Sequence, residues 1–238
     1  MGRIVFITAT DTGAGKTLLT AMCVSRLLAT GKSAVAIKPF CSGSHDDVEL
    51  LYRAQKGQIP KNAINPFYIE EAVAPLVGLR RSRRTVSMDK VNRHIDQLGK
   101  GSDWLLIEGI GGLMTPLGKG YDFEDLICAR DCGALVVVPN RLGALSHTLL
   151  VINSLRRRVS KRIAVVLMSG IVARDAACRT NNRILRELLR PVPVFSLPYF
   201  GPNSTSSAAR ISSLAKKNKK ILAQVLGAAS LSTALVNE

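Results

Sequence analysis

The stretch Ala9-Thr10-Asp11-Thr12-Gly13-Ala14-Gly15-Lys16-Thr17 lies between an apolar run, Ile4-Val5-Phe6-Ile7, and a segment with helical spacing, Leu19, Cys23 and Leu27. A strand that passes through a Gly-rich turn ending in Gly-Lys-Thr and then into a helix is a phosphate-binding arrangement. The backbone N–H groups of Gly13, Ala14 and Gly15 can point at a phosphate, and the helix N-terminus adds partial positive charge. Lys16 would reach the β- and γ-phosphates, and the Thr17 hydroxyl would ligate Mg²⁺. The usual pattern places Gly where Thr10 stands, so the match is not strict, but Gly13 and Gly15 still supply a permissive backbone.

Apolar runs followed by polar, Gly-containing loops recur along the chain. Ser33–Ile37 predicts a second buried strand, delivering Lys38-Pro39-Phe40-Cys41-Ser42-Gly43-Ser44. Asp46-Asp47 open a short helix carrying Val48, Leu51 and Tyr52, and residues 59–79 read as irregular. A helix near Ser87–Leu98 precedes the strand Asp103–Ile107, which ends in Glu108-Gly109-Ile110-Gly111-Gly112. Ala134–Val138, Ile163–Met168 and Val192–Phe195 predict further strands, separated by helices with Leu145, Leu149 and Ile152 and over Ala176–Leu189. Buried Val/Ile/Leu strands alternating with helices predict a three-layer α/β fold of the P-loop NTPase kind, with a mainly parallel central sheet. Residues 1–202 are expected to form that domain, and residues 203–238 a basic C-terminal helix and tail packed on it or appended to it.

Composition narrows the class. With 238 residues, 47% hydrophobic and 21% charged, the chain can bury a sizeable core. No apolar run is long enough to span a membrane. The near-immediate start of the first strand leaves no removable leader, so a cytoplasmic location is expected. The five cysteines form no CxxC pair; Cys128 and Cys132, four apart, are expected on one helix face as packing residues. The net charge of +16 gathers in Arg80-Arg81-Ser82-Arg83-Arg84, in Arg156-Arg157-Arg158 with Lys161-Arg162, and in Lys216-Lys217-Asn218-Lys219-Lys220. No aromatic residue interleaves with these runs, which argues for solvated surface and against nucleic acid as a partner.

Parallel strands place their carboxyl ends on one edge, where open sheets bind ligands. That edge gathers Lys16, Thr17, Lys38, Ser42, Asp47, Glu108 and the Asn140–Gly143 turn. Thr17, Asp47 and Glu108 form a hard-oxygen set suited to Mg²⁺, with Glu108 at the Walker-B position. Lys38 is a second cation suited to an anionic intermediate; taken alone it reads equally as a solvated strand-end lysine.

These separated motifs together resemble the dethiobiotin synthetase family. The resemblance runs in register over most of residues 3–200. It rests on Thr10-Asp11-Thr12 with Gly15-Lys16-Thr17, Lys38-Pro39 with Ser42-Gly43-Ser44, and Asn65-Pro66 with Ala74-Pro75. It extends to Glu108-Gly109 with Gly111-Gly112 and Thr115-Pro116-Leu117, and to Leu142-Gly143 with His147. It implies an ATP- and Mg²⁺-dependent ligase that makes dethiobiotin, ADP and phosphate from 7,8-diaminononanoate and CO₂. One amine captures CO₂ as a carbamate, which attacks the γ-phosphate to give a carbamic–phosphoric anhydride; the second amine then closes the ureido ring. On this reading Lys16 and Lys38 neutralise carbamate and phosphate oxygens, while Thr12 and Ser42 orient the substrate beside Gly111. The distal carboxylate rests on the backbone at Leu142 and Gly143 of a second subunit, implying a homodimer. Ser169 stands where the family commonly has an Asn that reads adenine. Serine cannot make the paired amide contact, so a broader choice of triphosphate is expected.

Two other classes share the fold. A partitioning or septum-positioning ATPase, acting as a switch on DNA or membrane, would place a lysine where Asp11 stands. A cobyrinate amidotransferase would need a glutaminase domain for which 238 residues leave no room.

Overall fold

The computed structural model describes residues 2–130, 132–158, 162–170 and 176–230. In chain order the elements are β1 (Arg3–Ala9), α1 (Lys16–Leu28), β2 (Ala34–Ile37), β3 (Phe40–Ser42), α2 (Asp46–Ala54), α3 (Lys61–Ile64) and β4 (Phe67–Ile69). There follow α4 (Pro75–Arg81), α5 (Met88–Gly99), β5 (Trp104–Glu108), β6 (Pro116–Gly118), β7 (Tyr121–Asp122), α6 (Phe123–Cys128), β8 (Gly133–Asn140) and α7 (Ala144–Arg158). The chain continues through β9 (Ile163–Ser169), α8 (Ala176–Leu188), β10 (Val194–Leu197), α9 (Ala208–Lys217) and α10 (Lys219–Ser230).

Six strands form one sheet in the order β10-β9-β8-β1-β5-β2, and every pairing is parallel. The strands are apolar on both faces, as a sheet covered by helices on both sides requires. Val5, Ile7, Ala36, Leu106 and Val137 pack under α1, α2, α9 and α10. Phe6, Val35, Ile37, Ile107 and Val136 pack under α5, α6, α7 and α8 on the other side. The result is the three-layer, mainly parallel P-loop architecture expected.

Register brings the loop residues together. Ile7 pairs with Glu108, and Ile37 pairs with Ile107, so Lys38 emerges beside Glu108 although they are 70 residues apart in sequence.

Several local expectations are corrected. The segment 59–79 is not irregular: it holds α3, β4 and α4, and β3 pairs with β4 in a small second sheet where Phe40 meets Phe67 at 5.1 Å. β6 and β7 form a hairpin leading into α6, where Asp122 and Asp125 make a capping box. α6 ends at Cys128, so Cys132 lies beyond it and the two thiols do not share a helix face. The last strand begins at Val194 rather than Val192, because Pro193 falls within the predicted one and cannot donate to a ladder. The described tail is two helices, with Asn218 between them donating its amide to the Leu214 carbonyl.

α10 lies so close to β8 that a Cβ on Gly133 would come within 1.6 Å of the Ala229 carbonyl oxygen. Backbone cannot yield as a side-chain tip does. Gly133→Ala is therefore expected to cost about 3 kcal/mol by overpacking, a fall of roughly 6–12 °C in melting temperature. An unchanged melting curve would contradict this packing.

Candidate functional site

The phosphate loop takes its shape from two glycines in left-handed conformation, Gly13 at φ +70° and Gly15 at φ +98°. Gly15 caps α1, whose first turn carries no acidic residue, so its N-terminal N–H groups are left for an anion. Ala14 is buried behind the loop, while Thr12 and Gly13 are exposed at its rim. Lys16 folds back, donating from Nζ to the Gly111 carbonyl at 2.7 Å and more weakly to the Asp11 carbonyl at 3.4 Å. Burial pushes the Lys16 ammonium down to about 8, against the attraction of Glu108.

Lys38 is not a solvated lysine; it is 3% exposed. Its Nζ lies 2.6 Å from Asp47 Oδ2 and 2.7 Å from Glu108 Oε1. Burial alone would lower its pKa, but Glu108 and Asp47 outweigh burial and hold it above the ordinary lysine value. Burial likewise works to raise Asp47, and the Lys38 charge reverses this, keeping its carboxyl below the usual range. The Thr17 hydroxyl is 2.8 Å from Asp47 Oδ1 and 2.6 Å from Glu108 Oε1. Glu108 Oε2 is buried with no hydrogen-bond partner. A hydroxyl, two carboxylates and an unsatisfied carboxylate oxygen within one cluster suit a hard divalent cation.

Neighbouring segments fix this cluster. Asn65 donates to the carbonyls of Lys38 and Pro39 at 2.9 and 3.1 Å, giving the Asn65-Pro66 motif a physical role. Buried Gln55, at the end of α2, bonds both the N–H and the carbonyl of Ala36 and so ties the helix bearing Asp47 to β2.

A cavity of about 550 Å³ opens over the cluster, lined by Thr12, Gly13, Gly15, Lys16, Thr17, Lys38, Ser42, Asp47 and Gly111. The wall also includes Cys41, Arg53 and Thr205, which sequence reasoning did not assign to the site; the last two lie outside any motif. A second, more apolar cavity of about 550 Å³ lies on the other side of the phosphate loop, against Gly13, Ala14 and Gly15. Ser169 lines it, with Met168, Pro139, Tyr199 and Phe200. Asn140 also lines it, its side-chain amide donating to the Cys178 carbonyl and accepting from Asn181.

Leu142 and Gly143 are not brought to the Lys38–Ser42 cavity of their own chain. Leu142 is 82% exposed beside the second cavity, and Gly143 lies exposed just before α7 at φ +88°. His147 is exposed on the first turn of α7. Arg141, within the Asn140–Gly143 turn, pairs with Asp11 across the rim of the phosphate loop.

Comparison with known proteins agrees with this geometry. A family model described as an AAA domain matches residues 3–225. The ATP-dependent dethiobiotin synthetase BioD of Akkermansia muciniphila is 30% identical over 185 residues, covering 78% of this chain and 87% of that protein. The protein of the same name from Thermodesulfovibrio yellowstonii is 32% identical over 212 residues, covering 82% and 88%. Among solved structures, a ParA family ATPase from Chlorobium tepidum superposes with a TM-score of 0.59 at 13% identity, covering 95% of this chain and 99% of that one. The MinD cell division protein of Aquifex aeolicus gives 0.55 at 16% identity, covering 96% and 95%. At those identities the structures attest the fold alone, whereas the sequence relatives carry the specific assignment: the chain belongs to the ATP-dependent dethiobiotin synthetase family.

Proposed function

We propose that this chain closes the ureido ring of dethiobiotin from 7,8-diaminononanoate, CO₂ and ATP, as a cytoplasmic homodimer. The observation that carries this reading is the meeting of Lys16, Thr17, Lys38 and Asp47 at one cavity, with buried Glu108 bonded to Thr17 and Lys38. The phosphate loop and Lys16 hold the triphosphate, and the apolar cavity with Ser169 takes the base. Thr17, Asp47 and Glu108 would hold Mg²⁺, which when bound neutralises phosphate oxygens and polarises the γ-phosphoryl group.

The amine that captures CO₂ becomes an anionic carbamate and releases a proton. Carbamate and γ-phosphate repel each other, so cationic neutralisation from Lys16 and Lys38 is what lets them approach. A carbamate oxygen attacks phosphorus and ADP leaves. The second amine then attacks the carbamoyl carbon, phosphate departs with the proton that amine loses, and the five-membered ring is complete. Thr12 and Ser42 orient the reacting amines beside Gly111. Leu142 and Gly143, turned outward in their own chain, offer backbone N–H groups to the distal carboxylate bound by the other subunit.

Phosphate release from Mg·ATP is expected to require both the diamine and bicarbonate. ATP hydrolysis that is indifferent to the diamine would overturn the assignment.

A further inference from the structure

Ser42 stands in the cavity wall, yet among the described residues no protein group bonds its hydroxyl, so the backbone that carries it sets its place. That backbone belongs to β3, paired with β4 in a two-stranded sheet with Cys41 opposite Tyr68 and Ser42 opposite Ile69. An isolated pair of such short strands is weak by itself. The turn that follows it needs a further hold, and Tyr68 supplies one.

β4 alternates along its length. Phe67 and Ile69 are buried in the core on one side, and Tyr68 projects to the other. The Tyr68 hydroxyl donates to the Gly43 carbonyl, while the Gly43 N–H donates to the Ile69 carbonyl at 3.0 Å. Both backbone polar groups of Gly43 are thus tied to β4. The Tyr68 ring also stacks on His45, with centroids 3.8 Å apart and 22° between the planes. Between these two points the Ser44 carbonyl accepts from the Cys41 thiol at 3.2 Å, and Ser44 Oγ accepts from the Asp46 N–H at 3.0 Å. Tyr68 itself lies outside the cavity wall, its carbonyl held by Arg84 at 3.2 Å.

The rest of the site is held independently of this grip. The Lys38 carbonyl is fixed by Asn65, and Gln55 ties the helix bearing Asp47 to β2. Lys16 and Thr17 belong to α1 and the phosphate loop.

We propose that Tyr68 is a positioning residue for the diamine: through Gly43 and His45 it fixes the turn that presents the Ser42 hydroxyl to the reacting amines. The inference rests on the ligase reading above. A group that orients a substrate works only within about half an ångström of its proper place. Release of the turn therefore costs diamine recognition while leaving the nucleotide site intact.

The test is steady-state turnover of the full chain, with diamine and Mg·ATP varied in turn at fixed bicarbonate, in Tyr68→Phe, Ser42→Ala and the double variant. Tyr68→Phe keeps the ring and its stack and removes only the hydroxyl. It is expected to raise the diamine KM about fivefold, the worth of one neutral hydrogen bond. The ATP KM should stay within about twofold of the parent and the melting temperature within about 4 °C. Because Tyr68 acts through Ser42, adding Tyr68→Phe to Ser42→Ala should change the diamine KM by less than about twofold. In the ligand-free protein, Tyr68→Phe should also speed hydrogen exchange at the Gly43 amide.

A lowered melting temperature with both KM values unchanged would make Tyr68 purely structural and overturn the proposal. Equal rises in the two KM values, the full fivefold effect in the Ser42→Ala background, a parental diamine KM in Ser42→Ala, or unchanged exchange at Gly43 would overturn it as well. In each of these cases turnover still requires the diamine, so the ligase reading stands. ATP hydrolysis by the parent that ignores the diamine would instead remove that reading, and this inference with it.

Discussion

Replacing Lys38 by glutamine is expected to abolish ring closure, lowering turnover about a thousandfold, while ADP still binds. On the proposed reading the nucleotide rests on the phosphate loop and Lys16, which the substitution does not replace. Lys38 has a different task, since its ammonium sits between Asp47 and Glu108 at 2.6 and 2.7 Å. Removing it leaves two carboxylates facing one another, with the Glu108 side chain wholly buried. Breaking a buried ion pair from one side costs about 3–5 kcal/mol. The variant should therefore melt lower in EDTA, and Mg²⁺ should raise its melting temperature more than it raises the parent's. Turnover at the parental rate would remove Lys38 from the chemistry. An equal response to Mg²⁺ in both proteins would argue against Asp47 and Glu108 as metal donors.

Much of this arrangement was legible in sequence, for a definite physical reason. A strand buried on both faces must be apolar throughout, so β1, β5, β8 and β9 announce themselves, and the polar residues after them must lie on one edge. Thr17, Lys38, Asp47 and Glu108 could thus be assigned to one site without knowing the strand order. The small sheet of β3 and β4 was not legible, because three-residue strands have too little alternation to separate from loop. A terminal helix was expected, but not its break into α9 and α10 or the closeness of α10 to Gly133, which depends on the absence of a side chain in another element. The state of Lys38 was equally hidden. Whether a strand-end lysine is solvated or buried depends on register, here the pairing of Ile37 with Ile107 that sets it against Glu108.

Lys16 sets the remaining expectation, a loss of triphosphate affinity as pH rises through about 8. Its side chain is buried against Gly111, and desolvation disfavours the charged form, so in the free protein the ammonium begins to lose its proton near that value. Below about pH 8 the cation is present and phosphate oxygens meet it directly. Above it, binding must first return a proton to the amine, and the triphosphate dissociation constant should rise by about tenfold per pH unit. Calorimetry at pH 8.5 in buffers of differing ionisation enthalpy should register proton uptake on binding. The effect on folding has the opposite sign. Between about 8 and the ordinary lysine value of 10.5 the unfolded chain binds more protons than the folded one at this site, so the Lys16 contribution to stability improves as pH rises, while function declines. Lys16→Gln, with no ammonium to titrate, should bind weakly and show a flat affinity profile across this range. If the variant kept the parental pH dependence, the titrating group would be another residue, and the buried ammonium would not be the cation that holds the phosphates.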